Sequence, residues 1–230
     1  MSDIEKLPYE TEMLFPMPVY KTNIGREFTK QEQDEFDTII EKDLDKQYVE
    51  AKYLQRISAD KYLLKRKPLA SIQSFIDHHL KQFAADIMGI YDPNISLDIT
   101  QSWLKATEPQ QFYPSHSHGN SIISGVFYPK CLELPGGKQD AILFFRDEKT
   151  SIFKTLWVTK KHQTTFSREL FRYTIVTGDL VLFPSSSMNH AVERNDTTDQ
   201  TRISLAFNTY LFGVLGDYET TSELILKQEK

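Results

Sequence analysis

Tyr113-Pro-Ser-His-Ser-His-Gly-Asn-Ser-Ile-Ile-Ser-Gly-Val-Phe-Tyr128 carries two histidines, His116 and His118, one residue apart. On an extended strand residues two apart point to the same side, so both imidazoles face one volume. Neutral imidazole ligates zinc, copper, iron and nickel alike, so the spacing suggests a metal without choosing one. The plainer alternative is two hydrated histidines in a Ser/Pro/Gly loop. The rest of the chain must decide between them.

Outward from this segment, residues after Pro93 fall into short runs rich in Ile, Val, Phe, Tyr and Thr, separated by turn residues. Strands are expected over Ser96 to Lys105, Ile122 to Tyr128, Ala141 to Phe145, Phe171 to Val176, Leu180 to Phe183, Ala191 to Glu193 and Arg202 to Phe212, with turns at Pro135-Gly-Gly137 and Gly178-Asp179. Such punctuation predicts a sandwich or jelly roll rather than a βαβ fold. Residues 146–170 form a longer polar connection containing Trp157 and His162, and its length suits a lid or binding loop.

The chain before Pro93 differs in texture. Met13 to Tyr20 is apolar with two prolines and reads as an edge strand or extended arm. Thr29 and Glu32 match a capping box, followed by Phe36, Ile39, Ile40 and Leu44 at helical spacing. Residues 45–66 show no period and are expected to be mostly irregular. Pro68 suits a helix start, and Ile72, Ile76, Leu80, Phe83 and Ile87 then recur at three or four residues until Gly89. His78 and His79 are adjacent on that helix and cannot share an ion. The expected organisation is one domain over 1–230: an arm and helices over 1–92, a β core over 93–213, and a polar, helical or frayed tail over 214–230. The class is mainly β with N-terminal helices (α+β), two helices packing on the outer face of the barrel.

A chain of 230 residues with 40% hydrophobic content can bury one sizeable core. Its formal net charge of -5 disfavours a binder of nucleic-acid phosphates, which needs clustered Lys and Arg. Lys61 to Lys67 is a short basic run that reads as a solvated face. A single cysteine, Cys131, forbids an internal disulfide and fits a reducing compartment. No apolar run approaches the roughly 20 residues needed to span a bilayer, and the start lacks a secretory pattern. A cytoplasmic protein without membrane partners is the expectation.

A third histidine, His190, follows the run Leu180-Val-Leu-Phe-Pro184. If the strands close into a jelly roll, a ligand from a late strand is what a facial metal site needs. In Arg202-Ile-Ser-Leu-Ala-Phe-Asn208, strand parity puts Arg202, Ser204, Ala206 and Asn208 on one face and Ile203, Leu205 and Phe207 on the other. The first face would look into a site, the second would lie against the helices. A guanidinium matches a carboxylate in two hydrogen bonds, and the Ser204 hydroxyl can add a third. The alternative for Arg202 is a surface ion pair to Glu193 or Asp199.

His116-x-His118-x-Asn120, Ser124 to Tyr128, Leu182-Phe-Pro-Ser185 with His190, Arg202-x-Ser204 and Phe207-Asn208 together resemble the iron(II)/2-oxoglutarate oxygenase family found in marine bacteria and tailed phages. With Leu14 to Tyr20, the resemblance spans roughly residues 13–213. It implies a double-stranded β-helix that holds Fe(II), uses 2-oxoglutarate as co-substrate and O2 as oxidant, and releases succinate and CO2 while oxidising a carbon–hydrogen bond. It implies His116, His118 and His190 at the metal and Arg202 and Ser204 on the distal carboxylate. Tyr128 joins them or is strand core, while Asn120, Asn208 and Trp157 are candidates to touch the substrate or to support the metal ligands. The host would be a bacterium or a phage-infected cell, and the substrate a small molecule, peptide or protein. The arm over 13–20 leaves room for a homodimer.

The chain departs from the wider superfamily where His-x-Asp or His-x-Glu is usual. Either His118 ligates, leaving the metal its full charge among three neutral imidazoles, or it orients water or substrate. A register using His118 and Asn120 also stays open, because Gly119 can bend the strand. Two other classes compete. A cupin-like metal isomerase or dioxygenase fits three histidines, although its motif would place a glutamate near Ile122 and Ile123. A non-catalytic interaction protein would bind no stoichiometric metal.

Overall fold

The computed structural model describes residues 10, 12–14, 16–44, 55–146 and 164–227. Trp157, His162 and most of the 146–170 connection therefore lie outside the described residues, as does 45–54. The strands are β1 (Tyr20–Asn23), β2 (Arg56–Ile57), β3 (Ser96–Thr107), β4 (Tyr113–His116), β5 (Ile123–Lys130), β6 (Asp140–Phe145), β7 (Leu170–Ile175), β8 (Asp179–Pro184), β9 (Asn189–Val192), β10 (Arg202–Leu215) and β11 (Leu224–Leu226). The helices are α1 (Lys30–Lys42) and α2 (Ala70–Asp86).

Local rules account for both helices. Thr29 accepts from the Glu32 backbone N–H while the Glu32 carboxylate accepts from the Thr29 N–H, which satisfies two donors at the start of α1. That carboxylate is buried and also receives two bonds from Arg26, at 2.7 and 2.8 Å. Pro68 sits in a 3-10 turn, Lys67–Leu69, that leads into α2, so the helix proper begins just beyond it. Ile72, Ile76, Leu80 and Phe83 are all buried, as their spacing predicts. Ile87 is not: it caps the helix at 41% exposure, because the chain leaves helical geometry before Gly89, whose φ is +70°. His79 meets the Tyr20 hydroxyl at 2.7 Å and ties α2 to β1, a structural role.

Every pairing between these strands is antiparallel. The larger sheet runs β1-β8-β5-β10-β3-β2 with β11 added to β10, and the smaller runs β4-β9-β6-β7. Two apolar clusters cover the larger sheet. On one face Leu104, Phe127, Leu182, Leu205 and Phe207 pack with Phe36, Ile39, Ile72, Ile76 and Phe83 of the helices. On the other, Val126, Tyr128, Val181, Phe183 and Ala206 meet Ile142, Phe144 and Ile175 of the smaller sheet. The mainly β class with few helices is as expected, and β10 divides its residues between the faces as parity requires.

One expectation needs correction and two gain detail. The tail contains β11 rather than helix, because Leu224, Ile225 and Leu226 complete the free edge of Gly213 to Leu215. Within 13–20 only Tyr20 is strand: β1 starts where Tyr20 can pair with Leu182, beyond both prolines, which could not supply ladder donors. Within 45–66, Arg56 and Ile57 pair with Ala106 and Lys105 and so extend the larger sheet.

Gly125 illustrates how tightly the helix-side core is packed. A Cβ there would lie 2.1 Å from Cζ of the Phe207 ring, which is itself fully buried. Gly125→Ala should therefore destabilise the protein by about 1–3 kcal/mol through overpacking, read from denaturant midpoints, and Phe207→Leu in the same chain should recover part of the loss.

Candidate active site

β4 and β9 pair so that His116 stands opposite His190, which brings two of the three histidines together across a strand pair. His118 arrives differently. β4 ends at His116, and His118 lies beyond it, its backbone N–H held by the Ser185 carbonyl at 3.1 Å. Strand spacing alone therefore does not bring His118 to the cluster: a turn, anchored to the end of β8, delivers the second imidazole. Ring centroids are 4.2 Å apart for His116 and His190, and 5.1 Å for each pair involving His118. One ring nitrogen from each lies within 4.8 Å of the others, a separation one ion can bridge.

The surroundings leave lone pairs available. His116 Nδ1 is 2.9 Å from the Pro114 carbonyl, so it carries the proton and frees Nε2. His118 Nε2 and His190 Nδ1 are buried with no hydrogen-bond partner, the condition expected of atoms that await a ligand. Burial lowers the pKa of all three rings; the His118 ring falls to about 4, with repulsion from His116 and Lys105 adding to the effect. His190 falls to about 2, burial being joined by repulsion from both other histidines and Lys105. All three are neutral near pH 7, the form that ligates. No carboxylate of the described residues belongs to this cluster.

Behind the rings lies a hydroxyl network that sequence reading missed. Ser185 Oγ meets Ser121 Oγ at 2.7 Å and Ser124 Oγ at 2.9 Å, and Ser124 donates to Asn208 Oδ1 at 3.0 Å. It ties β5, β10 and the end of β8 together next to the turn carrying His118. Trp103 stacks on His118 at 6.0 Å and 20°. Phe183 lies 4.6 Å from His190. Asn120 is exposed in a left-handed bend at φ +52°, away from the hydroxyl network that takes up Asn208.

A cavity between the sheets joins the histidines to the other candidates. His118, His190, Tyr128, Arg202 and Ser204 all line it, together with Lys105. Arg202 is 1% exposed, and its guanidinium is already engaged: Nε donates to Asp140 Oδ2 at 2.7 Å, Nη2 donates to Asp140 Oδ1, and Nη1 donates to the Glu193 carbonyl at 3.0 Å. The expected alternative of a surface pair to Glu193 or Asp199 is corrected in both partner and depth. The Glu193 carboxylate instead takes Arg172 and Lys138. Asp140 could not be singled out in the sequence, because an acid at a strand start reads as turn chemistry.

Lys105 was also missed. It is 7% exposed and paired in register with Ser204, with its ammonium 4.4 Å from the Tyr113 ring centroid. Burial, reinforced by Lys61, pushes that ammonium down to about 8. A parity signal existed: Leu104 and Ala106 face the helices, so Lys105 between them must face the smaller sheet.

With this geometry in place, comparison with known proteins is decisive. The model of the putative 2OG-Fe(II) oxygenase family matches residues 101–208, from within β3 to within β10. That stretch, just under half of the chain, carries the family's pattern. Among solved structures, a Pseudomonas putida prolyl-4-hydroxylase shares 14% identity over 84% of this chain and 94% of its own, with a TM-score of 0.53. HygX from Streptomyces hygroscopicus, bound to nickel, 2-oxoglutarate and hygromycin B, shares 15% over 84% and 82%, with 0.51. A Trichoplax adhaerens prolyl hydroxylase in complex with a hypoxia-inducible-factor peptide shares 10% over 84% and 83%, with 0.51. At these identities the likeness is one of fold. No curated protein matches the sequence. The family match and the three clustered, neutral imidazoles together indicate an Fe(II)- and 2-oxoglutarate-dependent oxygenase with O2 as its oxidant. No helix of the described residues is long and apolar enough to cross a membrane.

Two outcomes follow for the oxygenase. In metal-free protein, as pH falls below 6.5 the unfolded chain gains imidazole protons that folded His118 and His190 refuse, so their stability contribution is full above 6.5 and shrinks toward pH 4. A melting temperature that drops over this interval, and drops less in His118→Asn, is the expected result. Asp140→Ala should cost about 3–5 kcal/mol in chemical denaturation, because it leaves the Arg202 charge buried and unpaired.

Proposed function

We propose that this oxygenase hydroxylates a carbon–hydrogen bond of a small molecule or peptide, with His116, His118 and His190 holding Fe(II) and the cavity beyond them holding 2-oxoglutarate. The observation that supports this most is the continuity of one cavity from His118 and His190 to Arg202, Ser204 and Tyr128. We read the two facing sheets as a double-stranded β-helix forming a single domain, with the site between them.

When bound, the metal and co-substrate would supply the oxidative chemistry, with O2 as oxidant and succinate and CO2 as the products of 2-oxoglutarate. The chain's share is placement. Pro114 fixes the His116 tautomer, Ser185 fixes the turn of His118, and the β4–β9 register sets His116 against His190. Three neutral ligands leave a divalent ion its full charge, which strengthens its hold on an anionic oxoacid. Phe183, Val126, Ile142 and Ala206 give the cavity apolar walls that exclude water from the reacting centre. Arg202, Ser204 and Tyr128 line the end that would receive the distal carboxylate.

An oxoacid chelated to Fe(II) has a visible charge-transfer band. Adding Fe(II) and then 2-oxoglutarate to metal-free protein without O2 should produce that band, and His190→Ala should abolish it. Stoichiometric metal binding with no band would instead favour the cupin-like reading.

A further inference from the structure

We infer that Lys105, rather than Arg202, supplies the unspent positive charge that holds the distal carboxylate of the co-substrate. The inference rests on the proposed oxoacid site and concerns which cation serves it. Both cations line the same cavity, but they differ in what already compensates them. Arg202 is locked to both carboxylate oxygens of Asp140, and its third contact is a backbone carbonyl. As a pair the two are neutral, and their donors are largely used.

Lys105 is buried among aromatic rings, with Tyr113 at 4.4 Å and Trp103 at 6.0 Å from its ammonium. Among the described residues no carboxylate pairs with it, and no aspartate or glutamate lines the cavity. Ring faces offset only part of the cost of burying an ammonium, so an anion is required for full compensation. With a divalent metal at the histidines the cavity would present two positive charges, the ion and Lys105, which stands opposite Ser204 in the β3–β10 register. A dianion with a carboxylate at each end satisfies both, whereas a monocarboxylate satisfies one. Ser204 adds a hydroxyl donor across the β3–β10 pair, and Arg202 with Asp140 acts as a strut that closes the end of the cavity.

The test compares two oxoacids on Ni(II)-loaded protein by calorimetry: 2-oxoglutarate, and 2-oxopentanoate, which has the same chain length and ends in a methyl group. Wild type should prefer 2-oxoglutarate. Lys105→Met should weaken 2-oxoglutarate about 100-fold and leave 2-oxopentanoate within about threefold, as expected for loss of one buried ion-pair partner. Lys105→Arg should restore most of the preference. Should the Met variant fail to fold, Lys105→Gln is read in the same way. Equal weakening of both acids would mark a structural role and overturn the inference, as would unchanged 2-oxoglutarate affinity. Absence of 2-oxoglutarate binding in wild type would instead refute the oxoacid site itself.

Discussion

The antiparallel pairing of β10 with β3 on one side and β5 on the other is the constraint on which the structure depends. Because side chains alternate along a strand, one backbone ladder serves two environments. Ile203, Leu205 and Phe207 seal the helix-covered core, while Arg202, Ser204 and Ala206 line the cavity on the other face. A slip of one residue would exchange the two sets, placing a guanidinium among leucines and a phenylalanine in the site. The close fit of Phe207 over Gly125 pins that register sterically.

The chemistry follows from how charge is arranged in that cavity. Burial keeps three imidazoles neutral, and neither the metal cluster nor the cavity wall carries an acid among the described residues. A carboxylate ligand would offset part of a bound ion's charge, whereas three neutral imidazoles would leave it intact. Asp140 does not line the cavity, and its carboxylate pairs with Arg202. The interior is therefore cationic, suited to a doubly charged anion, and the apolar walls strengthen each electrostatic contact.

Positioning comes from contacts among segments far apart in sequence. Ser121, Ser124, Ser185 and Asn208 form a chain of hydroxyl and amide bonds beside the turn of His118. Arg146 likewise donates to the carbonyls of Arg168 and Thr165, both at 2.9 Å, so the two ends of the long 146–170 connection are fixed next to each other at the rim of the smaller sheet.

What the amino-acid sequence determined by itself was whatever depends on local periodicity and local chemistry. The capping box of α1, the apolar stripe of α2, most strands and the two faces of β10 belong here, because helical and strand repeats act over a few residues. The motif set from His116 to Asn208 also pointed to the family whose model matches residues 101–208, since motif order and spacing are legible without contacts. Tertiary structure alone decided which charges meet. Nothing near Asp140 in the sequence marks it as the partner of Arg202, 62 residues away. Among the described residues no acid lines the cavity beside Lys105, which only the folded neighbourhood decides. His118 reaches the cluster by a turn held by Ser185, and strand spacing could not reveal that. Compensation of charge is a property of the whole three-dimensional surroundings, so it is legible only once distant segments have been brought together.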